Sequence, residues 1–254
     1  MNLLELENIS VDFTTKKGTL SAVKDVSLTI GKGDFISIVG PSGCGKSTLL
    51  NVIGGFLPPS GGTILQKGKA LKGPGRERGI VFQKPALYPW LNVEQNVGFG
   101  LKMRGISKGE KQKIVLDNLK RVQLSDFAHM HSYELSGGMQ QRVAIARILA
   151  NDPEILLMDE PFGALDVLTR EHLQDELLKI WRETHKTVIL ITHSVEEAIY
   201  LSTSVYVMSE LPGRLIKKVE TPFSTEYADR DIREVKSLPE FVSLREEVLS
   251  YIWS

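Results

Sequence analysis

Two kinds of apolar pattern recur along this chain. In the first, short runs are apolar almost throughout: Phe35-Ile36-Ser37-Ile38-Val39, Ile155-Leu156-Leu157-Met158 and Thr187-Val188-Ile189-Leu190-Ile191-Thr192. Runs of this length predict strands buried on both faces. In the second, apolar residues take every other position, as Val26, Leu28 and Ile30 do within Thr19–Ile30. That segment and Leu3–Ile9 predict antiparallel strands with one wet face, joined through a turn at Lys16-Lys17-Gly18. Thr63-Ile64-Leu65, Ile80-Val81-Phe82, Ser204–Met208 and Arg214–Val219 read as further strands.

Between Val93 and about Ala150 the strand signals vanish and a helical period takes over. The predicted helices there are Val93–Met103, Lys108–Val122 and a third from about Gly138. Ile114, Val115, Leu119 and Val122 make one stripe on the second. Ser47–Ile53, Leu168–Thr184 and Val195–Leu201 also read as helices, and Phe56–Gly62 is a hard break. Pro239 opens a last helix with Phe241, Leu244, Val248 and Ile252 on one face, expected to pack on the core.

Composition narrows the classes. The chain has 254 residues with 42% apolar and 24% charged, the profile of an ordinary globular protein of one large or two small domains. Its formal net charge is zero, which argues against a dedicated nucleic-acid surface. Cys44 is the single cysteine, so no intrachain disulfide can form and a reducing compartment is expected. Met1–Phe13 carries Glu5 and Glu7 and no basic residue, unlike a signal peptide. No apolar run approaches the roughly 20 residues of a membrane span, so any work at a membrane needs another chain to cross it.

The strongest chemical signal is Gly40-Pro41-Ser42-Gly43-Cys44-Gly45-Lys46-Ser47-Thr48, which fits G-x-x-x-x-G-K-[ST] between a buried strand and a helix. Glycines let successive N–H groups face one anion, and the helix N-terminus adds its positive dipole end. Lys46 is expected to reach the β- and γ-phosphates of a nucleotide and the Ser47 hydroxyl to sit on Mg²⁺. Cys44 reads as a small filler whose thiol lies at the phosphate cradle, protected from modification by ATP. The predicted fold is therefore α/β: a P-loop NTPase core over 1–86 and 151–254 with an antiparallel β subdomain, and a helical subdomain inserted at 87–150.

The strand Ile155–Met158 runs into Asp159-Glu160. Open α/β sheets bind ligands at the carboxyl ends of strands. There Asp159 could hold Mg²⁺ through its water shell. Glu160 would point to the other side and polarise a water attacking the γ-phosphate; a helix N-cap is the alternative, which the upstream P-loop disfavours. His193, at the next strand end, could donate to a γ-phosphate oxygen or be structural. Gln83 could reach the metal or the water, or serve as a polar strand cap. Phe13 could stack on a purine or lie in a strand core. His129 and His131 read as solvated, without the further ligands a metal site needs.

Leu135-Ser136-Gly137-Gly138-Met139-Gln140-Gln141-Arg142 offers a second anion-seeking helix start. One P-loop already holds one triphosphate, so Ser136, Gly137 and Gly138 suggest a site completed by another copy. A two-fold dimer would pair each P-loop with this segment of its partner.

With these motifs in this order, the chain resembles the ATP-binding cassette ATPases of ABC transporters over nearly its whole length. The resemblance implies a nucleotide cradle at 40–48, a Q-loop at Gln83, a signature at 135–139, and a Mg²⁺ and base pair at Asp159 and Glu160. It further implies a D-loop at Ala164-Leu165-Asp166, a switch histidine at His193 and adenine stacking by Phe13. The family's signature usually has Gln where this chain has Met139, a change that leaves Ser136-Gly137-Gly138 intact. Ala86-Leu87-Tyr88-Pro89-Trp90, Pro161–Asp166 and Pro212-Gly213-Arg214 are similar to the subgroup that imports nitrate, taurine and alkanesulfonates. Membership implies ATP and Mg²⁺ as cofactors and a homodimer on the cytoplasmic face of the inner membrane. It also implies permease subunits and, indirectly, a solute-binding protein as partners. A soluble cassette ATPase acting on nucleic acid or ribosomes is the alternative; a small-molecule P-loop kinase would leave Leu135–Met139 without a use. Ala86–Trp90, exposed and apolar, is expected to receive a permease helix unless Leu87 and Trp90 pack inward.

Overall fold

The computed structural model describes residues 2–16, 18–227 and 230–253; Lys17 of the expected turn and Ser254 lie outside them. Strands β1 (Asn2–Thr15) and β2 (Gly18–Gly31) pair antiparallel, and β4 (Gly61–Gln66) and the short β5 (Lys69–Ala70) extend them to a sheet ordered β2-β1-β4-β5. Both long strands exceed the apolar segments that announced them. Ser10–Thr15 is mostly exposed, yet its backbone stays laddered, with Phe13 opposite Leu20.

The second sheet holds β3 (Phe35–Val39), β6 (Arg78–Val81), β7 (Ile155–Asp159), β8 (Thr187–Ile191), β9 (Ser204–Met208) and β10 (Leu215–Glu220) in the order β10-β9-β3-β8-β7-β6. All its pairs are parallel except the β9–β10 hairpin. Four strands are wholly buried and alternate between two cores. Ile36, Ile38, Ile155, Leu157, Ile189 and Ile191 face the antiparallel sheet and the helix α1 (Lys46–Gly54). Phe35, Val39, Leu156, Met158, Val188 and Leu190 face the remaining helices. This is the expected reason for runs without a polar face.

Between β6 and β7 come three helices, α2 (Val93–Met103), α3 (Lys108–Arg121) and α4 (Gly137–Asn151). Local chemistry sets their starts. Asn92 and Gln95 form a reciprocal capping box on α2, Ser107 caps α3, and Ser136 caps α4. Val115, Leu119 and Val122 of the expected stripe are buried and Ile114 packs beside them. After β7 come α5 (Val167–Thr184), capped by Asp166, and, after β8, α6 (Val195–Leu201), capped by Ser194. The chain ends in α7 (Phe223–Glu226), α8 (Ile232–Ser237) and α9 (Pro239–Ile252). Phe241 and Val248 of α9 are buried against the helical side of the sheet, with Leu244 and Ile252 packed on them. The short α7 and α8 are additions to the sequence reading.

Candidate active site at the strand ends

Four neighbouring parallel strands deliver their next residues to one edge of the second sheet. From β3 the chain turns through Gly40–Gly45 into α1. Gly45 is the N-cap, with φ 102° and no side-chain cap over the first turn. A Cβ there would stand 2.5 Å from the Ala22 carbonyl of β2, and one on Gly40 would stand 2.6 Å from the Met208 carbonyl of β9. The loop is thus clamped from both sides where only glycine fits. Gly213 closes it from behind: its own Cβ would meet the Cys44 carbonyl at 2.0 Å, and its N–H donates to Ala22.

Lys46 is only 4% exposed. Its Nζ donates to the carbonyls of Gly40 and Pro41 at 2.8 and 2.7 Å. The cation therefore sits inside the loop whose N–H groups remain for an anion. Cys44 fills the loop from the core side. Its thiol is 1% exposed, packs in the core beside Met208 and accepts from Lys46 Nζ at 3.7 Å, while its N–H donates to the Pro41 carbonyl.

Ser47 donates its hydroxyl to Asp159 Oδ1 at 3.0 Å. Burial holds the Asp159 carboxyl above the usual aspartate range; the Ser47 hydrogen bond and the charges of Lys46 and His193 pull the other way, while Glu160 adds to the rise. A hydroxyl and a buried carboxylate side by side are the oxygen donors a hard divalent cation prefers, so the pair fits Mg²⁺.

Glu160 follows in left-handed backbone, φ 47°, with its N–H held by the Ile191 carbonyl. Such a conformation in a residue with a side chain costs on the order of 1 kcal/mol and marks a constrained position. It turns the carboxylate away from Asp159's partner and between two strand-end groups. Gln83 Nε2 donates to Glu160 Oε2 at 2.9 Å, and His193 Nε2 lies 2.5 Å from Oε1. Gln83 stands two residues beyond β6, because the Phe82 carbonyl leaves the ladder to accept from Gln141 of α4. The sheet edge thus brings Gln83, Glu160 and His193 into one hydrogen-bonded group, beside Ser47 and Asp159.

Other expected residues lie elsewhere. Phe13 is 38% exposed, which sets aside the core reading, and stands on the hairpin whose second strand clamps Gly45. Ser136 caps α4, accepting from Met139 N–H, with Gly137 exposed and open around its Cα. Gly138 packs on the loop before α5: a Cβ on it would lie 3.3 Å from the Ala164 carbonyl oxygen. His131 is not solvated as expected: it is half-buried, stacked on Tyr133 and tied to Glu134 through its N–H. His129 is exposed beside Glu94 at 3.6 Å.

The segment Ala86–Trp90 divides between its two readings. Leu87 packs on the core, whereas Trp90 is 69% exposed. Buried Asn96 pins Tyr88 through both backbone groups, and Arg147 donates to the Ala86 carbonyl while lying over the Tyr88 ring. The contacts of Gln141, Gly213, Thr192 and Glu197 were missed in the sequence; they join segments that are separate in the chain or turn inward where a cap was suggested.

Comparison with known proteins gives the family. The ABC transporter family matches residues 23–163. A taurine import ATP-binding protein of Pelagibacter ubique is 52% identical over 100% of this chain and 96% of its own length. Its namesake from Escherichia coli is 44% identical over 99% and 97%. The dimeric cassette MJ0796, solved in a post-hydrolysis state bound to ADP and Pi, is similar at a TM-score of 0.80 and 35% identity, over 85% of this chain and 98% of that one. CbiO1 of Clostridium perfringens, part of an ABC transporter complex, gives 0.75 and 30% over 96% and 99%. With its phosphate loop, strand-end acids and capped glycine helix in the family's order, the chain belongs to the ABC transporter family and is one of its ATPase cassettes.

Proposed function

We propose that this chain is the ATP-hydrolysing subunit of an importer for taurine or a related small solute such as nitrate or an alkanesulfonate. It works as a homodimer under permease subunits at the cytoplasmic face of the inner membrane, with a solute-binding protein serving the permease. The observation that carries the chemistry is Glu160, held between Gln83 and His193 at the end of β7. The importer rests on relatives that match the chain end to end, which also disfavours the soluble alternative acting on nucleic acid or ribosomes. No helix among the described residues is long and apolar enough to cross a membrane, so the permease does the spanning.

The N–H groups of the loop Ser42–Thr48 would receive the phosphates of ATP, with its adenine toward Phe13. Ser47 and Asp159 would hold Mg²⁺, which would neutralise phosphate charge. Glu160 accepts a proton from a water while the water oxygen bonds to the γ-phosphorus and the bond to the β–γ bridging oxygen breaks, leaving ADP and phosphate. General-base help of this kind contributes about 10²–10⁴-fold. Gln83 and His193 keep the carboxylate aimed, and Ser136, Gly137 and Gly138 of the second copy close over the γ-phosphate.

Glu160→Gln keeps the shape and removes the base. It binds ATP near normally, loses most turnover and accumulates as an ATP-bound dimer in gel filtration. Hydrolysis at the wild-type rate would refute the assignment. The ring of Trp90 beside pinned Tyr88 is the surface for the permease. Trp90→Glu lowers co-purification with the permease and solute uptake, while ATPase of the isolated subunit stays at wild-type level.

A further inference from the structure

Glu197 is a charged side chain that the hydrolysis scheme leaves without a use, although it is only 6% exposed. Its place at the third position of α6, after Ser194, suggests a capping box. The contacts differ. Ser194 Oγ accepts from the Glu197 N–H, but the carboxylate turns inward and accepts the Thr192 hydroxyl on Oε2 at 2.6 Å. Thr192 Oγ1 in turn accepts from the Ser194 N–H at 3.0 Å. The residues flanking His193 on both sides are therefore fixed by one buried carboxylate.

The other oxygen, Oε1, faces Arg170 Nε at 3.9 Å, an ion pair rather than a hydrogen bond. Arg170, on α5, donates from Nη2 to the Leu165 carbonyl at 3.1 Å. Leu165 lies in the loop on which Gly138 of α4 packs. Burial of a carboxylate costs several kcal/mol unless hydrogen bonds and a partner charge offset it; here both partners lead toward the reacting groups. Helix α4 is thus joined to Glu160 by two routes. One runs through Gln141, the Phe82 carbonyl and Gln83. The second runs through Leu165, Arg170, Glu197 and the Thr192–His193 turn.

We infer that Glu197 is a positioning residue for hydrolysis: through Thr192 and Arg170 it ties the turn bearing His193 to the loop Gly163–Asp166 that supports the start of α4. This rests on the assignment of Glu160 and His193 to the reaction. The placement of His193 against Glu160 then depends on the placement of that loop, so the end of α4 that meets ATP of a second copy also sets its own chain's histidine.

The test uses the full chain with Glu197→Gln, Arg170→Met, their double variant, and Thr192→Val beside Thr192→Ser. The first three and Thr192→Val lower kcat about tenfold, with KM and affinity for a fluorescent ATP analogue within about twofold of wild type. The double variant is no worse than either single one, and Thr192→Ser, which keeps the hydroxyl, restores the rate. A second reading needs no turnover. The imidazole Cε1–H resonance of His193, assigned by its loss in His193→Ala, shifts in Glu197→Gln and Arg170→Met, while those of His129 and His131 stay. Losses that multiply in the double variant, equal loss of nucleotide affinity and melting temperature, or an unmoved His193 resonance would overturn the inference. Wild-type turnover in Glu160→Gln would instead overturn the hydrolysis scheme and leave the resonance result to judge the linkage.

Discussion

Helices α1 and α4 both begin beside glycine with no acidic residue in the first turn, yet they present their N–H groups under opposite constraints. At α1 the two outer glycines are squeezed, Gly45 against β2 and Gly40 against β9, and Gly213 presses on Cys44 between them, while Gly43 at the loop tip is open. At α4 the first glycine is open, and Ser136 already accepts one of the free N–H groups. A loop clamped by its own sheet can be shaped by one chain. An exposed, self-capped helix start gains an anion only when another surface brings it. The contrast therefore separates a nucleotide-holding half-site from a closing half-site, as a two-fold dimer requires.

Gly45→Ala tests the clamped side and carries the largest effect. A side chain at φ 102° that also meets the Ala22 carbonyl costs at least about 2 kcal/mol. The melting temperature falls by roughly 5 °C or more, and ATP no longer protects against unfolding. Normal nucleotide affinity in this variant would break the comparison at its first term.

Gly137→Glu tests the open side. A carboxylate at a helix start stabilises it by about 0.3–1 kcal/mol, so the melting temperature holds or rises slightly. ATP binding by the single subunit is unchanged, whereas ATPase drops about a hundredfold because the charge faces the phosphates of the second copy. Retained turnover would show that α4 does not close the site.

Asp159→Asn sharpens the clamped side with the smallest change in stability. Burial raises the Asp159 pKa in the folded chain, so its charge disfavours folding once the pH exceeds the ordinary aspartate value of about 3.9. The folded state binds the proton more tightly, and the penalty grows as the pH rises through the raised value. Without Mg²⁺ the variant melts above wild type at pH 7, and the gap closes as the pH falls toward 4. With MgATP the order reverses, because the carboxylate is then paired. A variant less stable than wild type at pH 7 without metal would contradict the cause assigned to the raised pKa.

How far the chain could be read from its sequence follows the range of each interaction. Helix α2 was placed to the residue, because its helical pattern is a local signal, and the box that fixes its start in the structure is local too. The doubly buried strands were equally plain. Strand β1 was underestimated because Ser10–Thr15 has too few apolar side chains to announce a ladder formed by pairing. Gln83, Glu160 and His193 were legible as three separate strand-end groups, but their meeting depends on the order β8-β7-β6, which no local pattern carries. The burial of Cys44 was illegible for the same reason. Whether a loop side chain faces the ligand or the core is decided by Met208 and Gly213, far along the chain. Glu197 shows the limit most directly: its spacing from Ser194 suits a cap, and only the fold reveals Thr192 and Arg170 as its partners.

The order of the second sheet has a consequence for how the protein is made. Strand β3, which launches the phosphate loop, has β8 and β9 as its two neighbours; Phe35 pairs with Val188 and Ile36 with Ser204. These neighbours leave the ribosome about 150 and about 170 residues after β3, separations that make such pairing slow. Until then the most apolar strand near the N-terminus stands without a ladder. A nascent chain or fragment that stops short of Met208 has neither the strand nor the carbonyl that clamps Gly40. The phosphate loop, though made early, takes its clamped shape only once β9 has been made.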